Sequence, residues 1–468
     1  MAESGRKTMS AVETLLLDRF ERHVEELKQY CSIPSVSTDP AYAPEVQRAA
    51  RFVADRMARA GLERVEILPT GGHPAVVAEW CRAPGAPTVL VYGHYDVQPP
   101  DPVELWTSPP FAPEIRDGRL YARGASDDKG PSLIPILVAE AFLEREGRLP
   151  VNLKFLYEGE EECGSVHLEA LVTAEKKRLA ADVVLSADGA MWRPDLPTVT
   201  VASRGMLALE LELHGAAKDL HSGRHGGSAP NPLPALARLL ATLHDEAGEV
   251  AVEGFHDGIT PPDPKLIEAI QASGFDPQGY FAAIGAAAPQ PMPSAEDLLV
   301  RQWLKPTLEL NGITGGYGGP GTKTVIPAKA GAKISCRLVA GQDPERVFAA
   351  IEAHLRRYAP AGYGLEIRRH GPGSPAFALP ADQPVLALTE AVLGELFGQP
   401  PLRVAMGATI PIGTVFRQIL GIETVFFGFA TADEDYHSPN EFFRLERFRD
   451  GMLGWARLLP RLAGHSPG

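Results

Sequence analysis

The sequence predicts an α/β protein built on a mixed open sheet flanked by helices, with a separate α+β domain inserted into it. Three features carry that expectation. Residues 88–92, 151–157, 183–185 and 424–429 are short runs rich in apolar and β-branched residues, each of strand length, and helical periodicities lie between them. Each of these runs leads into acids and histidines: His94 and Asp96, Glu158 to Glu162, Asp188, and the loop carrying His437. Open α/β sheets place their sites at the carboxyl ends of their strands, so these endings point to one shared site. The third feature is a change of character over 198–375, between the stretches Arg193-Pro-Asp-Leu-Pro-Thr and His370-Gly-Pro-Gly-Ser-Pro, which read as hinges. The expected organisation is 1–197 and 376–468 as the two parts of a catalytic domain, with 198–375 as the insertion.

Taken in order, Ser10 and Glu13 form a capping box, and Leu16, Phe20, Val24, Leu27 and Tyr30 recur behind it at helical spacing. A second helix starts near Pro44, at the first-turn position that proline favours, and stops at Gly61. Residues 65–68 and 75–80 read as strands. The proline-rich loop 99–113 carries Trp106 and Phe111, and a loop of that length is usually functional or tied down. Asp117-Gly118 signals a hairpin. Gly130-Pro131 opens an apolar helix that ends near Gly147. Within the insertion, 199–202, 208–213 and 333–338 are strand-like, 232–243 and 344–358 are helical, and the glycines of 312–321 read as loop.

At 468 residues the chain exceeds one compact core, so two domains are expected. A net charge of −14 and a pI near 5.5 argue against nucleic-acid or anionic-membrane partners, both of which need a basic face. No apolar run reaches the roughly twenty residues of a membrane span, and the N-terminus leads into an amphipathic segment, so a cytoplasmic protein is expected. Cys31, Cys81, Cys163 and Cys336 include no C-x-x-C pair, which leaves oxygen and imidazole as the ligands for any metal.

Two imidazoles with several carboxylates and no thiolate suit zinc, manganese or cobalt held for catalysis. A histidine ligand works best when its other ring nitrogen is held, and Asp96 lies two residues from His94 along extended chain, placed to hold it. One carboxylate shared between two ions brings them about 3.5–4 Å apart, the spacing of two-metal hydrolases, and Asp127 is the natural bridge. A further acid must take and return a water proton, a task that the adjacent Glu161 and Glu162 can divide with metal binding. Each of these residues, taken alone, also fits a solvated strand end or turn. Their joint occurrence at four strand ends does not.

The motifs Gly-His-Tyr-Asp-Val-Gln-Pro, Ala-Ser-Asp-Asp-Lys-Gly-Pro, Glu-Gly-Glu-Glu-Glu-Cys-Gly, Asp-Leu-His-Ser-Gly, Thr-Val-Ile-Pro and His-Ser-Pro-Asn-Glu follow one another along nearly the whole chain. In this order they resemble the cocatalytic-zinc exopeptidase family of carnosinases, nonspecific dipeptidases, aminoacylases and glutamate carboxypeptidases, and most nearly its carnosinase-type dipeptidases. The resemblance implies two divalent ions per chain, zinc first, with manganese or cobalt as alternatives. His94, Asp127 and Asp188 would hold one ion and Asp127, Glu162 and His437 the other. Glu161 would be the general base, Asp96 would steady His94, and the Asp127–Asp128 peptide would be cis. His221 would assist the developing oxyanion, and Arg337 would grip the substrate's carboxylate. The inserted domain would act as a lid and dimerise, sending His221 into its partner's site.

One motif departs from the family. Many relatives carry Arg-Glu-Gly-Gly-Ser-Ile-Pro where this chain has Ala405-Met-Gly-Ala-Thr-Ile-Pro411, so a charged pair is absent while Thr409 keeps a hydroxyl. The absent acid removes a partner for a substrate ammonium. The expected function is metal-dependent hydrolysis of the amide bond of dipeptides or small peptides. The alternative is an amidohydrolase of N-acyl or N-carbamoyl amino acids. A noncatalytic binding protein is a third reading, against which Glu161 argues, because a binder has little use for a base beside metals.

Overall fold

The computed structural model describes residues 9–464. In chain order, its principal strands are β1 Glu63–Leu68, β2 Ala75–Trp80, β3 Thr88–His94, β4 Asn152–Glu158, β5 Val183–Ser186, β6 Gly205–His214, β7 Thr307–Gly315, β8 Lys329–Leu338, β9 Gly364–Ser374 and β10 Thr424–Phe426. The chain divides into two compact units. The first runs to Val201 and takes in Leu379–Val404 and the residues from Val415 on; the second is Ala202–Ala378 with Ala405–Thr414.

The first unit is built on a sheet of order β1-β2-β4-β3-β5-β10. The neighbours β4, β3, β5 and β10 run parallel, and β2 runs antiparallel to both β1 and β4, which makes the sheet mixed. In β3 every residue from Val89 to His94 is buried, as expected of a central strand covered on both faces, whose sequence is a continuous apolar run. Helix Gly130–Glu146 starts on a proline and ends at Gly147 in the left-handed region. It packs against the helix Leu445–Ala463, while helix Ala43–Arg59 covers β1 and β2. Arg56 ties helices together from inside: its buried guanidinium meets Glu26 at 2.9 Å and Glu140 at 2.8 Å. The Ser10–Glu13 capping box is present, and Asp117 and Gly118, both at positive φ, turn the hairpin between Glu114–Arg116 and Arg119–Tyr121.

The strand predicted over 424–429 stops at Phe426, and a short strand, Ala430–Thr431, resumes beside Ala190–Met191. Gly428 lies between the two. A Cβ there would fall 2.0 Å from the Gly189 carbonyl, so only glycine fits where the two backbones meet.

The second unit carries an antiparallel sheet of order β7-β8-β6-β9. Along β6, Leu207, Leu209, Leu211 and Leu213 are buried under helices Pro232–Ala241 and Pro344–Tyr358, while Glu210, Glu212 and His214 take the opposite face. Three expectations need correction. The supposed hinge at 370–375 is strand as far as Ser374, with Gly371 and Gly373 at positive φ beside a register shift opposite Met206 and Ala208. The supposed loop at 312–321 is strand up to Gly315, disguised because β7 is a sheet edge that buries only Leu308. The segment 376–468 is not all of one piece: Ala405–Thr414 belongs to the second unit. There Met406 O accepts from Arg204 N at 3.1 Å, Gly407 O accepts from Arg204 Nε at 2.9 Å, and Gly413 packs against Phe377.

Candidate metal centre

The four parallel strands of the first unit deliver their endings to the same place. His94 closes β3, the turn Glu161–Cys163 follows β4, Asp188 follows β5, and His437 follows β10. Two triplets result: His94, Asp127 and Asp188, and Asp127, Glu162 and His437, each with its ligand atoms within 4.8 Å of one another. Asp127 is common to both. Its Oδ1 lies 2.9 Å from His94 Nε2 and its Oδ2 lies 3.0 Å from His437 Nε2, so one carboxylate faces two imidazoles with different oxygens. His437 Nε2 is also 3.1 Å from Glu162 Oε2. The Asp127–Asp128 peptide is cis.

The charge balance fits cations. Asp127, Glu161, Glu162 and Asp188 converge where water is largely excluded, against two imidazoles. Burial raises the pKa of Glu161 well above the usual carboxylate range, and Asp188, Asp127 and Glu162 add to it by repulsion. Burial and the Asp127 charge push Glu162 up to about 7; burial, with a smaller contribution from Asp127, pushes Asp188 up to about 6. Hydrogen bonds to Asp127 and Glu162 raise His437 to about 10. These acids resist ionisation for want of positive charge, which divalent ions would supply.

Asp96 holds more than its neighbour. His94 Nδ1 donates to the Asp96 backbone carbonyl at 3.1 Å, with the Asp96 carboxylate at 3.4 Å, an arrangement that leaves the Nε2 lone pair free for a cation. The Asp96 carboxylate also accepts from Glu161 N at 3.3 Å and Glu162 N at 3.0 Å, tying the ends of β3 and β4 together. Sequence reasoning missed two further supports. Gln98 Nε2 donates to Glu162 Oε2 at 2.9 Å, which aims that carboxylate. The buried Glu441 accepts from the backbone N–H groups of Gly124, Ser126 and Asp127 at 2.9, 2.9 and 3.1 Å and pairs with Arg123 at 2.7 Å, so the loop after His437 braces the loop that presents Asp127. Both lie inside motifs quoted from the sequence, and that membership was the signal available. The proline-rich loop is tied down, with Asn440 bonded to Thr107 N and Leu105 O.

The remaining predicted residues lie in the second unit. Arg337, on β8, donates to the Thr409 hydroxyl at 2.7 Å. His221 is exposed, and its Nδ1 accepts from Gly223 N at 3.0 Å.

So much buried negative charge calls for cations, and cations held at strand ends with a spare acid at hand make this the fold and centre of a metal-dependent hydrolase. Comparison with known sequences narrows the class. Peptidase family M20/M25/M40 matches residues 90–461, and the chain belongs to that family of metallopeptidases. It is 32% identical to the Beta-Ala-His dipeptidase of Homo sapiens over 95% of this chain and 90% of that one. With a Cys-Gly metallodipeptidase of Schizosaccharomyces pombe it shares 31% identity over 96% of this chain and 97% of the relative. The crystal structure of an M20 family metallo-carboxypeptidase from Sulfolobus solfataricus matches at a TM-score of 0.85 and 30% identity, covering 94% of this chain and 99% of that one. Among the described residues no helix is long and apolar enough to cross a membrane.

Proposed function

We propose that the protein is a dipeptidase, a homodimeric cytoplasmic zinc enzyme that hydrolyses the amide bond of dipeptides or small peptides. The observation that carries this reading is Asp127, whose two oxygens face two imidazoles in adjoining triplets. Two divalent ions bound there would polarise the scissile carbonyl and acidify the attacking water. His94, Asp127 and Asp188 would hold one ion, and Asp127, Glu162 and His437 the other. Glu161 takes the water's proton and returns it to the leaving amine, while Asp96 and Gln98 keep the ligands aimed. Arg337, steadied by Thr409, takes the substrate's carboxylate, and His221 donates to the oxyanion from the partner subunit.

Dimerisation through the second unit is supported by β7, an edge strand that leaves Leu310 and Ile313 in solvent. A second reading, hydrolysis of N-acyl or N-carbamoyl amino acids, is favoured by Met406, which stands where many relatives have an acid. Turnover by zinc-reconstituted enzyme, with the metal-stripped protein as control, separates the two. Dipeptides cleaved faster than acylated amino acids of the same C-terminal residue support the first; the reverse order selects the second, and no turnover of either with both metal sites filled removes both.

A further inference from the structure

Arg337 is not the only guanidinium of its pocket. A cavity of about 820 Å³ in the second unit is lined by Arg204, Arg301, Lys305, Ser335 and Arg337, with Glu249 and Glu309 among its acids. Glu249 is taken up by Arg301 at 3.5 Å and Lys305 at 3.9 Å. Among the described residues no carboxylate lies within ion-pair distance of Arg204 or Arg337. Their hydrogen bonds go to neutral oxygens: Arg204 Nε to Gly407 O at 2.9 Å, Arg204 Nη1 to Lys305 O at 3.3 Å, and Arg337 Nη1 to the Thr409 hydroxyl at 2.7 Å. Burial, with the repulsion of Arg337, pulls Arg204 down to about 10. Two partly buried cations that lack an anion are costly unless one is delivered.

Two bonds of Arg204 go to one loop, while its Nη1 goes to Lys305 O. Its backbone N–H donates to Met406 O, its Nε to Gly407 O, and two residues further on Thr409 meets Arg337. Gly407 is clamped from both sides: a Cβ there would sit 2.8 Å from Gln302 O and 3.3 Å from Arg204 Nη2. The loop therefore has one seat, and Arg204 is a wall of it. Thr409 can hold the Arg337 guanidinium in plane only while that seat is kept.

We propose that Arg204 is a positioning residue of the carboxylate clamp, holding the 405–409 loop so that Thr409 fixes Arg337 for a substrate's free C-terminal carboxylate. This rests on the peptidase reading given above. It makes specificity for a free carboxylate the property of a guanidinium pair and a loop, where Arg337 alone would give it less geometry. Loss of Arg204 should lower affinity for carboxylate substrates and spare turnover, because Arg204 acts before the chemical step.

The test uses the metal-loaded enzyme and compares a dipeptide with its C-terminal amide. Arg204→Met should raise KM for the dipeptide about tenfold, leave kcat within about twofold, and shrink the carboxylate-over-amide preference in kcat/KM toward that of Arg337→Met. Gly407→Ala, which displaces the loop from the other side, should reproduce the KM effect with Arg204 intact. Arg204→Lys keeps the charge and loses the planar fork, and should recover only part of the preference. Metal content and thermal unfolding of each variant show whether it is folded; if Arg204→Met does not fold, Gly407→Ala and Arg204→Lys decide. If Arg337→Met abolishes the preference while folded Arg204 and Gly407 variants keep it, the proposal is wrong and the clamp reading survives. A wild type indifferent to the amide removes both.

Discussion

The two polar clusters of this protein are opposite in sign and alike in being unfinished. In the first unit, Asp127, Glu161, Glu162 and Asp188 crowd together with too little positive charge; in the second, Arg204 and Arg337 lie in one pocket with no acid among the described residues in ion-pair range. A folded chain tolerates such imbalance where a ligand completes it, and the sign of the excess names the ligand: cations in one case, a carboxylate in the other. They differ in construction. The acidic cluster takes its members from the turns after β4 and β5 and from the 125–129 turn ahead of helix Gly130–Glu146, and it is braced by Asp96, Gln98 and Glu441 through hydrogen bonds. The basic pair is held mainly by one loop, with Lys305 O as a further acceptor for Arg204. Damage to the first should therefore be close to all or none, and damage to the second should be graded.

The largest effect expected is that of Asp127→Ala. Both triplets lose a member at once, so metal content measured on the purified variant should fall for both ions and activity should drop to background. Retention of one full equivalent of metal would break the shared-carboxylate account. Next comes the adjacent pair of glutamates. Glu161→Gln should keep its metal and lose turnover by about 10²–10⁴-fold, because an amide accepts no proton from water. Glu162→Gln should instead raise the metal concentration needed for half-maximal activity. The opposite assignment of the two outcomes would exchange base and ligand.

Stripping the metal should reveal the sign of the first cluster in the protein's stability. Glu162 and Asp188, raised to about 7 and about 6, and His437, raised to about 10, all bind protons more readily folded than unfolded. Their contribution is present at low pH and is lost as pH rises through those values, so the metal-free protein should be less stable at pH 8 than at pH 6. Between pH 6 and pH 8 most of the fall should come from Glu162 and His437, since Asp188 has given up most of its share below pH 6. Thermal unfolding of chelated and zinc-loaded protein at the two pH values checks this: the fall should be steep without metal and slight with it. Equal slopes would mean that the acids are not the metal's ligands.

How much of this was legible depends on what kind of signal each part leaves in the chain. The acidic cluster was, because buried parallel strands write themselves as apolar runs and each run here breaks off at a candidate ligand: His94 after Val-Leu-Val-Tyr-Gly, Asp188 after Val-Val-Leu-Ser-Ala. Strand β7 was not, because an edge strand needs neither burial nor alternation, and Asn311 to Gly315 look like loop. The helices Pro264–Ala272, Pro277–Ala283 and Ala295–Trp303 went unassigned although their caps are plain: Asp263 before Pro264, Asp276 before Pro277, and Ser294 with Asp297. Glu441 stands in the His-Ser-Pro-Asn-Glu motif with no role read for it; what makes it a brace is contact with a loop more than three hundred residues earlier, and no local pattern encodes that. The assignment of Ala405–Thr414 to the second unit fails to show for the same reason, since it rests on Arg204.

The basic pair supplies the smaller effects. Arg337→Met should raise KM for a dipeptide by about 10–10²-fold, the cost of one charge-assisted hydrogen bond or two, with metal content unchanged. Unchanged metal with an unchanged KM would remove Arg337 from the substrate site.

The smallest effect expected is at Thr409. Its hydroxyl accepts from Arg337 Nη1 at 2.7 Å, a bond to a charged donor in a half-buried place. Thr409→Val keeps the shape and deletes the acceptor, so the guanidinium loses one anchor and must be ordered by the substrate instead. A bond of this kind is worth about 1.5–3 kcal/mol when fully buried and less where water can substitute, so KM should rise by about three- to tenfold and kcat should hold. Thr409→Ser, which retains the hydroxyl that the related motif carries at this position, should stay within about twofold of the parent. The pair of variants separates the hydroxyl from the methyl. If Ser and Val behave alike, Thr409 serves the packing of its loop, and the route by which Arg204 would position Arg337 through this hydroxyl is removed with it.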